Sequence, residues 1–404
     1  MVSTLSFFQG SDTTEHDVIS FFNELNRNPD HFTSSDDICT PMECVKLMID
    51  YLPEDLWGKK DLRILDPCSG NGNFGAYCRL KTADENIYYN ELNPIRYQNC
   101  IQFLNPINIT NSDFFDVEGQ WDLIMANPPY SGGGNKNRGL SNQFIEKSID
   151  LLSDEGYLCF VTPNNWMTFN NNNTTLAKLL SSGSFLVIDN DVKKYFPGVG
   201  SSFTVFVWQK GNLTNKTLVI NSFLKKDVQQ EVIIPRELPF IPLYISQAVI
   251  DIIPKCLGPD RNSFDYRCDL HNFTQKAQLS DEPDQVFRYR TIHTMRKTRY
   301  ATKKQDIYEK WNIIVPLSTY YVPVLMTNVN TTQSVGYVSF DDRDSASRFM
   351  ERMTAPHFKL LVHLTRYGNF NNLKVLKHLR FGEDITFTKQ ELVEIEDLVS
   401  RVGY

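Results

Sequence analysis

Four short apolar runs, each ending on a polar residue or a proline, constrain the fold of this chain more than any other feature. "LRILDP" runs straight into the glycines of "CSGNGNFGAY", "NIYYNEL" ends at Glu91, "WDLIMANPP" at Asn127, and "YLCFVTP" at a proline. Around them lie segments of helical character. "TPMECVKLMIDYLP" places Val45, Met48, Ile49 and Leu52 on one face, and "NPIRYQNCIQFL" is long enough for a crossover helix. "SNQFIEKSIDLLSDEG" reads as an amphipathic helix ending near Gly156. Apolar strands alternating with helices imply βαβ units, hence an α/β architecture with a parallel sheet and helices on both faces. "FLVIDND" and "SSFTVFVWQK" supply later strands.

After Lys210 the alternation stops. "GNLTNK" has the look of a linker, and the remainder of the chain is an irregular mix rich in Arg, Lys and Tyr. The boundary is expected near residue 212, giving an α/β domain over 1–212 and a mixed α+β domain over 213–404. A chain of 404 residues has length enough for two cores. Its net charge of −7 argues against a nucleic-acid partner, but the acidic excess lies within residues 1–210 and residues 211–404 are net basic. The eight cysteines are scattered and form no C-x-x-C pair, which points to reduced thiols and away from a zinc site or disulfide framework. No basic segment leads into an apolar run at the start, and no apolar stretch approaches the ~18 residues of a membrane span. The expectation is a cytoplasmic protein, of a bacterial cytosol or a virally infected cell, with no membrane partner and no bound metal.

The strand–glycine loop–helix unit holds Asp66, then Gly70, Gly72 and Gly75. Such a loop lies at the carboxyl edge of an α/β sheet, where ligands bind, and its glycines let a ligand approach the backbone. Glu91, ending the next strand, can accept both hydroxyls of a ribose. Asp113 in "NSDFFD" can accept from an adenine amino group while Phe114 lies on the ring. A pyrophosphate does not fit, because Asp66 ahead of the loop repels it. A nucleoside carrying positive charge does, and S-adenosylmethionine with its sulfonium and ammonium groups is one.

The turn "NPPY" completes a set. "DPCSGNGNF", "NEL", "DFF" and "NPPY", in this order and spacing, resemble the amino-group DNA methyltransferases that modify adenine at N6. Upstream "DDICTP" resembles the family's T-P motif, an order called the γ group, and "GYLCFVTPNNWM" and "YFPGVGSSFTVFVWQK" resemble its later strands. The resemblance covers residues 32–210. It implies a Rossmann-like methyltransferase sheet in which Thr40, Asp66, Gly70, Gly72, Glu91, Asp113 and Phe114 hold S-adenosylmethionine. It further implies that Asn127, Pro128 and Tyr130 hold the target base and that Phe196 stacks on its other face, with Tyr195 and Phe203 as close competitors. The partner implied is double-stranded DNA, in a restriction–modification system whose nuclease is a separate chain, or in an orphan relative.

The turn suits that chemistry. An adenine amino group is a poor nucleophile because its lone pair is delocalised into the ring. Two acceptors aimed at its hydrogens, the Asn127 side-chain oxygen and the Pro128 carbonyl, can free that lone pair, and the prolines fix them in advance. Tyr130 offers a ring on which a flipped base can stack. On this reading only the ring matters, and Tyr130→Phe should be silent. Direct displacement at a sulfonium needs neither metal nor cysteine. Asn-Pro-Pro-Tyr also occurs in enzymes methylating RNA or a protein glutamine, and cytosine-N4 remains open. A nucleic-acid-binding module with a relic cofactor fold is a further alternative, against which the intact Asn127 and glycine loop speak.

For duplex binding the sequence offers "FRYRTIHTMRKTRYATKK" (287–304). Arg288, Arg290, Arg296, Lys297 and Arg299 are interleaved with Tyr289, His293 and Tyr300, and no acidic residue intervenes before Asp306. "GGGNKNRG" (132–139) is expected to be a loop able to close over the target strand.

Overall fold

The computed structural model describes residues 13–27, 39–130, 139–170, 172–197, 202–270, 278–318, 320–368 and 370–402. The chain divides into two compact units, one of residues 1–166 and 173–237, the other of residues 167–172 and 238–404.

The first unit is built on nine strands: β1 Ile64–Asp66, β2 Ile87–Asn90, β3 Asn108–Thr110, β4 Trp121–Ala126, β5 Leu152–Pro163, β6 Gly183–Asp189, β7 Phe203–Lys210, β8 Lys216–Asn221 and β9 Val228–Ile233. They form one sheet in the order β3-β2-β1-β4-β5-β7-β6-β8-β9. The first five strands pair in parallel, and β7 runs antiparallel to both β5 and β6. The helices are α1 Glu15–Leu25, α2 Met42–Asp50, α3 Asn73–Cys78, α4 Pro94–Leu104, α5 Leu140–Leu151 and α6 Thr174–Ser182.

All six residues of β4 are buried, as a strand covered on both faces requires. Leu123, Met125, Val205 and Val207 join one core with Val45, Met48 and Ile49 of α2 and with α1 and α3. Successive side chains point oppositely along a strand, so Phe206 and Trp208 face the other way. Phe206 there meets Phe160, Trp166 and Phe185, and the Trp208 indole N–H donates to the Leu179 carbonyl of α6 at 3.0 Å. The sheet thus carries helices on both faces, as expected.

Two sequence expectations shift. The α5 helix stops at Leu151, short of Gly156, because Leu152 already pairs with Trp121 as the first residue of β5. The first unit continues past residue 212 to residue 237, because β8 pairs in parallel with β6 and β9 then pairs with β8, so both add to the sheet.

The second unit contains two small sheets. β10 Leu279–Ser280, β11 Tyr289–Thr294, β12 Lys297–Ala301 and β15 Asn330–Thr331 make one; β13 Trp311–Pro316, β14 Val324–Met326 and β16 Val335–Phe340 make the other. With α7 Gln247–Cys256, α8 Arg343–Met353, α9 Pro356–Leu364, α10 Leu373–His378 and α11 Lys389–Val402, this is a mixed α+β unit. Among the described residues no helix is long and apolar enough to cross a membrane.

The strand order fixes where a ligand can sit. From β1 the chain goes outward to β2 and β3, then returns to place β4 on the other side of β1. The crevice beyond the carboxyl ends of β1 and β4 is the switch point at which open α/β sheets bind ligands. Close packing shapes it: a Cβ added at Gly75 would lie 2.1 Å from the ring of buried Tyr89. Gly75→Ala should therefore destabilise the protein by ~1–3 kcal/mol, the usual cost of overpacking. Thermal unfolding at an unchanged midpoint would show instead that Tyr89 yields freely.

Candidate active site

Asp66 closes β1 and is fully buried. Neither of its carboxylate oxygens has a hydrogen-bond partner of good geometry; the Cys68 backbone amide opposes the loss of solvation only in part. Burial first, and the nearby Glu91 carboxylate as well, push the Asp66 carboxyl well above the usual range. Three further buried polar atoms around the same loop lack hydrogen-bond partners of good geometry, Asn26 Nδ2 at the end of α1, Ser69 Oγ within the loop and Asn73 Oδ1 at the start of α3. Unpartnered buried polar atoms are few in native proteins, and a cluster of them calls for an explanation.

The loop between β1 and α3 takes its shape from glycine. Gly70 and Gly72 have φ of 55° and 90°, and a Cβ on Gly72 would come within 2.2 Å of Leu104. Glu91 holds the loop from the next strand. Its carboxylate accepts from the Gly70 N–H at 2.7 Å and from the Asn93 N–H at 2.8 Å. Burial raises its pKa against these two bonds. Thr40 is buried too, its carbonyl accepting from Asn73 Nδ2 at 2.8 Å. Asp113 caps the short turn Phe114–Asp116, accepting from the Phe115 N–H at 3.0 Å.

Asn127 follows β4, the strand beside β1, and the two ends are joined directly. The Cys68 thiol, kept neutral by burial and by Asp66 and Glu91, donates to the Asn127 carbonyl at 3.5 Å. The Tyr130 hydroxyl donates to Asn127 Oδ1 at 2.7 Å. This corrects the expectation that Tyr130 serves as a ring alone, since its hydroxyl orients the Asn127 amide. The Tyr130 ring meets Phe203 edge-on at 5.3 Å, and Phe203 stacks on Phe196 at 4.9 Å. Tyr130 and Phe196 therefore share one aromatic layer, although Phe196 is buried beneath Phe203.

Phe114, expected to lie on an adenine ring, has one face engaged by a neighbour. Its ring is buried and stacks on Phe144 at 4.7 Å, while Phe115, edge-on to Phe144, is 37% exposed. Nothing in the sequence marks Phe144, which lies on α5, or Asn26 as neighbours of the site. Cys68 stood in plain view within the glycine motif.

In the second unit the basic run becomes the β11–β12 hairpin, with Arg296 at its turn. Arg288, Arg290, Arg296 and Lys297 are exposed. Arg299 is not equivalent: its Nε lies 2.8 Å from Asp281, which also holds Lys297 at 3.2 Å. The run is free of acid along the chain but not in space. Residues 132–138 of the glycine-rich segment lie outside the described residues. Among the described residues no group of three or more His, Cys, Asp or Glu side chains is placed to hold a metal ion.

Comparison with known proteins bears out the motif resemblance over the catalytic region. Residues 54–196 match the family described as Eco57I restriction-modification methylase. Over 268 residues the chain is 27% identical to Type II methyltransferase M.HincII of Haemophilus influenzae, covering 60% of this chain and 51% of that protein. Type II methyltransferase M.HindII of the same species is also 27% identical over 268 residues, covering 60% and 49%. The chain thus spans about half the length of these curated relatives. Release factor glutamine methyltransferase of Mycoplasma mycoides is 28% identical over 139 residues, covering 32% of this chain and 49% of that one. Among solved structures, the Type IIL restriction-modification enzyme MmeI, solved in complex with DNA, aligns over 96% of this chain and 69% of its own, with a TM-score of 0.56 at 10% identity. That likeness shows the fold.

Because the Glu91 carboxylate, at the end of β2, holds the glycine loop through the Gly70 N–H, Glu91→Ala should weaken S-adenosylmethionine binding by ~1.5–3 kcal/mol, the worth of hydrogen bonds to a charged group. Calorimetric titration giving wild-type affinity would remove Glu91 from the site.

Proposed function

We propose that this chain is a DNA methyltransferase of a restriction–modification system, moving a methyl group from S-adenosylmethionine to N6 of an adenine taken out of duplex DNA. On this reading the first unit is catalytic and the second recognises the target. The observation that carries it is the placement, at the ends of two adjacent strands, of a buried carboxylate without a partner and an Asn-Pro-Pro-Tyr turn. The residues fit the cofactor. Asp66 lacks a positive partner, Gly70 and Gly72 leave room at the backbone, and Glu91 can accept from ribose hydroxyls. Thr40, Asp113 and Phe114 would complete that wall.

When bound, S-adenosylmethionine supplies an electrophilic methyl group on sulfonium. The protein's part is to prepare the amine. A side-chain amide oxygen carries two lone pairs. The Tyr130 hydroxyl donates to Asn127 Oδ1 and would orient that oxygen toward an amine hydrogen. The Pro128 carbonyl would take the second hydrogen. Both acceptors are fixed before the base arrives, so they stabilise positive charge as it grows on nitrogen. Tyr130 would offer its ring to one face of the base, with stacking worth ~1–3 kcal/mol, while Phe196, stacked on Phe203, would support that ring from within the aromatic layer.

The glutamine-methylating relative supports a second reading, because a glutamine amide is also a conjugated amine. Its match covers 32% of this chain, against 60% for the DNA-modifying relatives. That reading also leaves the second unit without a task. Incubation with plasmid DNA and labelled S-adenosylmethionine, followed by mapping of methylated bases, decides between them. Label entering protein and no DNA base would overturn the proposal.

Asn127→Ala should lower the rate of methyl transfer by ~10²–10³ with cofactor affinity unchanged. Tyr130→Phe keeps the ring but removes its hydrogen bond to the Asn127 amide, and a fall of up to ~10-fold in kcat is expected from that loss. Single-turnover rates equal to wild type in both variants would show that the turn does not act on the amine.

A further inference from the structure

The β11–β12 hairpin has most of its own surface engaged. On one face Ile292 joins a core with Ile307, Ile314 and Tyr337, and on the other Ala301 packs with Leu270 and Leu279. Thr294 pairs with Lys297, so the turn between the strands is Met295 and Arg296 alone, and neither has a positive φ. A two-residue turn of that kind splays its strands, and the register shift between Ile292 and Thr294 supplies the missing twist, as a bulge does. The turn is also pinned. The Arg296 N–H donates to Thr294 Oγ1 at 3.3 Å, and the Met295 side chain packs back onto the Ile292 core. Arg296 is left pointing into solvent from a fixed backbone.

The charges of the hairpin divide as well. Asp281 engages Lys297 and Arg299, which leaves Arg290 and Arg296 as its exposed cations with no ion pair among the described residues. With both faces covered, the hairpin cannot lie flat along a groove, and its turn is the part that can enter one. A guanidinium held there suits a base edge, since it can donate to guanine O6 and N7 together. A strand rises about 3.4 Å per residue, so Arg290 stands about 14 Å behind Thr294. That is farther than the major groove is deep, about 8.5 Å, so Arg290 cannot share the base edges and is left to phosphate. We infer that Arg296 reads a guanine edge of the target sequence from the major groove while Arg290 meets the backbone. Lys297 and Arg299 hold the hairpin to Asp281 instead. This rests on the DNA-modifying reading of the chain.

The two roles separate in binding. Mapping the bases that the native protein methylates on plasmid DNA gives its site. Fluorescein-labelled duplexes carrying that site, and a set each with one base pair changed, then give affinities by anisotropy at several salt concentrations. Arg296→Ala should lose discrimination of about 10-fold or more at one G·C pair and keep it at every other. Arg296→Gln, whose amide fits adenine N6 and N7, should move the preference at that pair toward A·T. Arg290→Ala should weaken all duplexes alike and lower the salt slope by about one. Both side chains are exposed, so thermal unfolding at the native midpoint is expected in each variant. Arg296→Ala that discriminates at every pair as the native protein does, or that weakens every duplex by one common factor, overturns this inference alone. A native protein that methylates no DNA overturns the inference together with the reading beneath it.

Discussion

A buried carboxylate with no charge and only one backbone amide to offset its lost solvation is expensive to keep, and the first unit is arranged around one. Transfer of an ionised carboxylate out of water costs several kcal/mol even after relaxation, unless a charge or donors compensate. Asp66 has neither in good geometry, and the second carboxylate, Glu91, stands close enough to raise its pKa further. The remaining features result from keeping that pair in place. Glu91 can remain because two backbone amides bind it, and one belongs to Gly70, whose positive φ gives the loop its shape. The loop in turn meets the Asn127 turn through Cys68. A cationic ligand entering here would relieve the electrostatic cost on both acids beside the Asn127 turn.

The sequence revealed this much because its signals are local. Apolar runs ending at Asp66, Glu91 and Asn127 name three strands, and strands alternating with helices are parallel for geometric reasons. What it hid depends on pairing across distance. The hairpin β8–β9 looked like part of an irregular second domain because its strands are half exposed, as suits a sheet edge. Only its pairing with β6 assigns it to the first unit. Asp281 lies outside the basic run in sequence but binds Arg299 and Lys297 once β10, β11 and β12 pair.

Within the site the same division holds. The residue types of the glycine loop and the turn were legible, but their mutual contacts were not. No spacing rule announces that the Tyr130 hydroxyl occupies one lone pair of Asn127, or that Phe114 spends a face on Phe144. Both bear on how the motif would work under the proposed function. The first would make the tyrosine a positioning group as well as a stacking one, and the second leaves Phe115 as the ring of that pair at the surface.

The central claim is that the acidic pair awaits a positive charge, and proton linkage tests it most directly. Burial raises both carboxyl pKa values in the free protein. A cation favours the ionised forms and pulls those values down, so binding must expel protons wherever the free protein still holds them. Affinity for S-adenosylmethionine should therefore rise with pH for as long as the free protein still holds these protons, and level off once it has lost them. Calorimetry below neutral pH, in buffers of different ionisation enthalpy, should register proton release on binding, and Asp66→Asn should diminish it. Affinity that is flat with pH, or that strengthens as pH falls, would contradict the account.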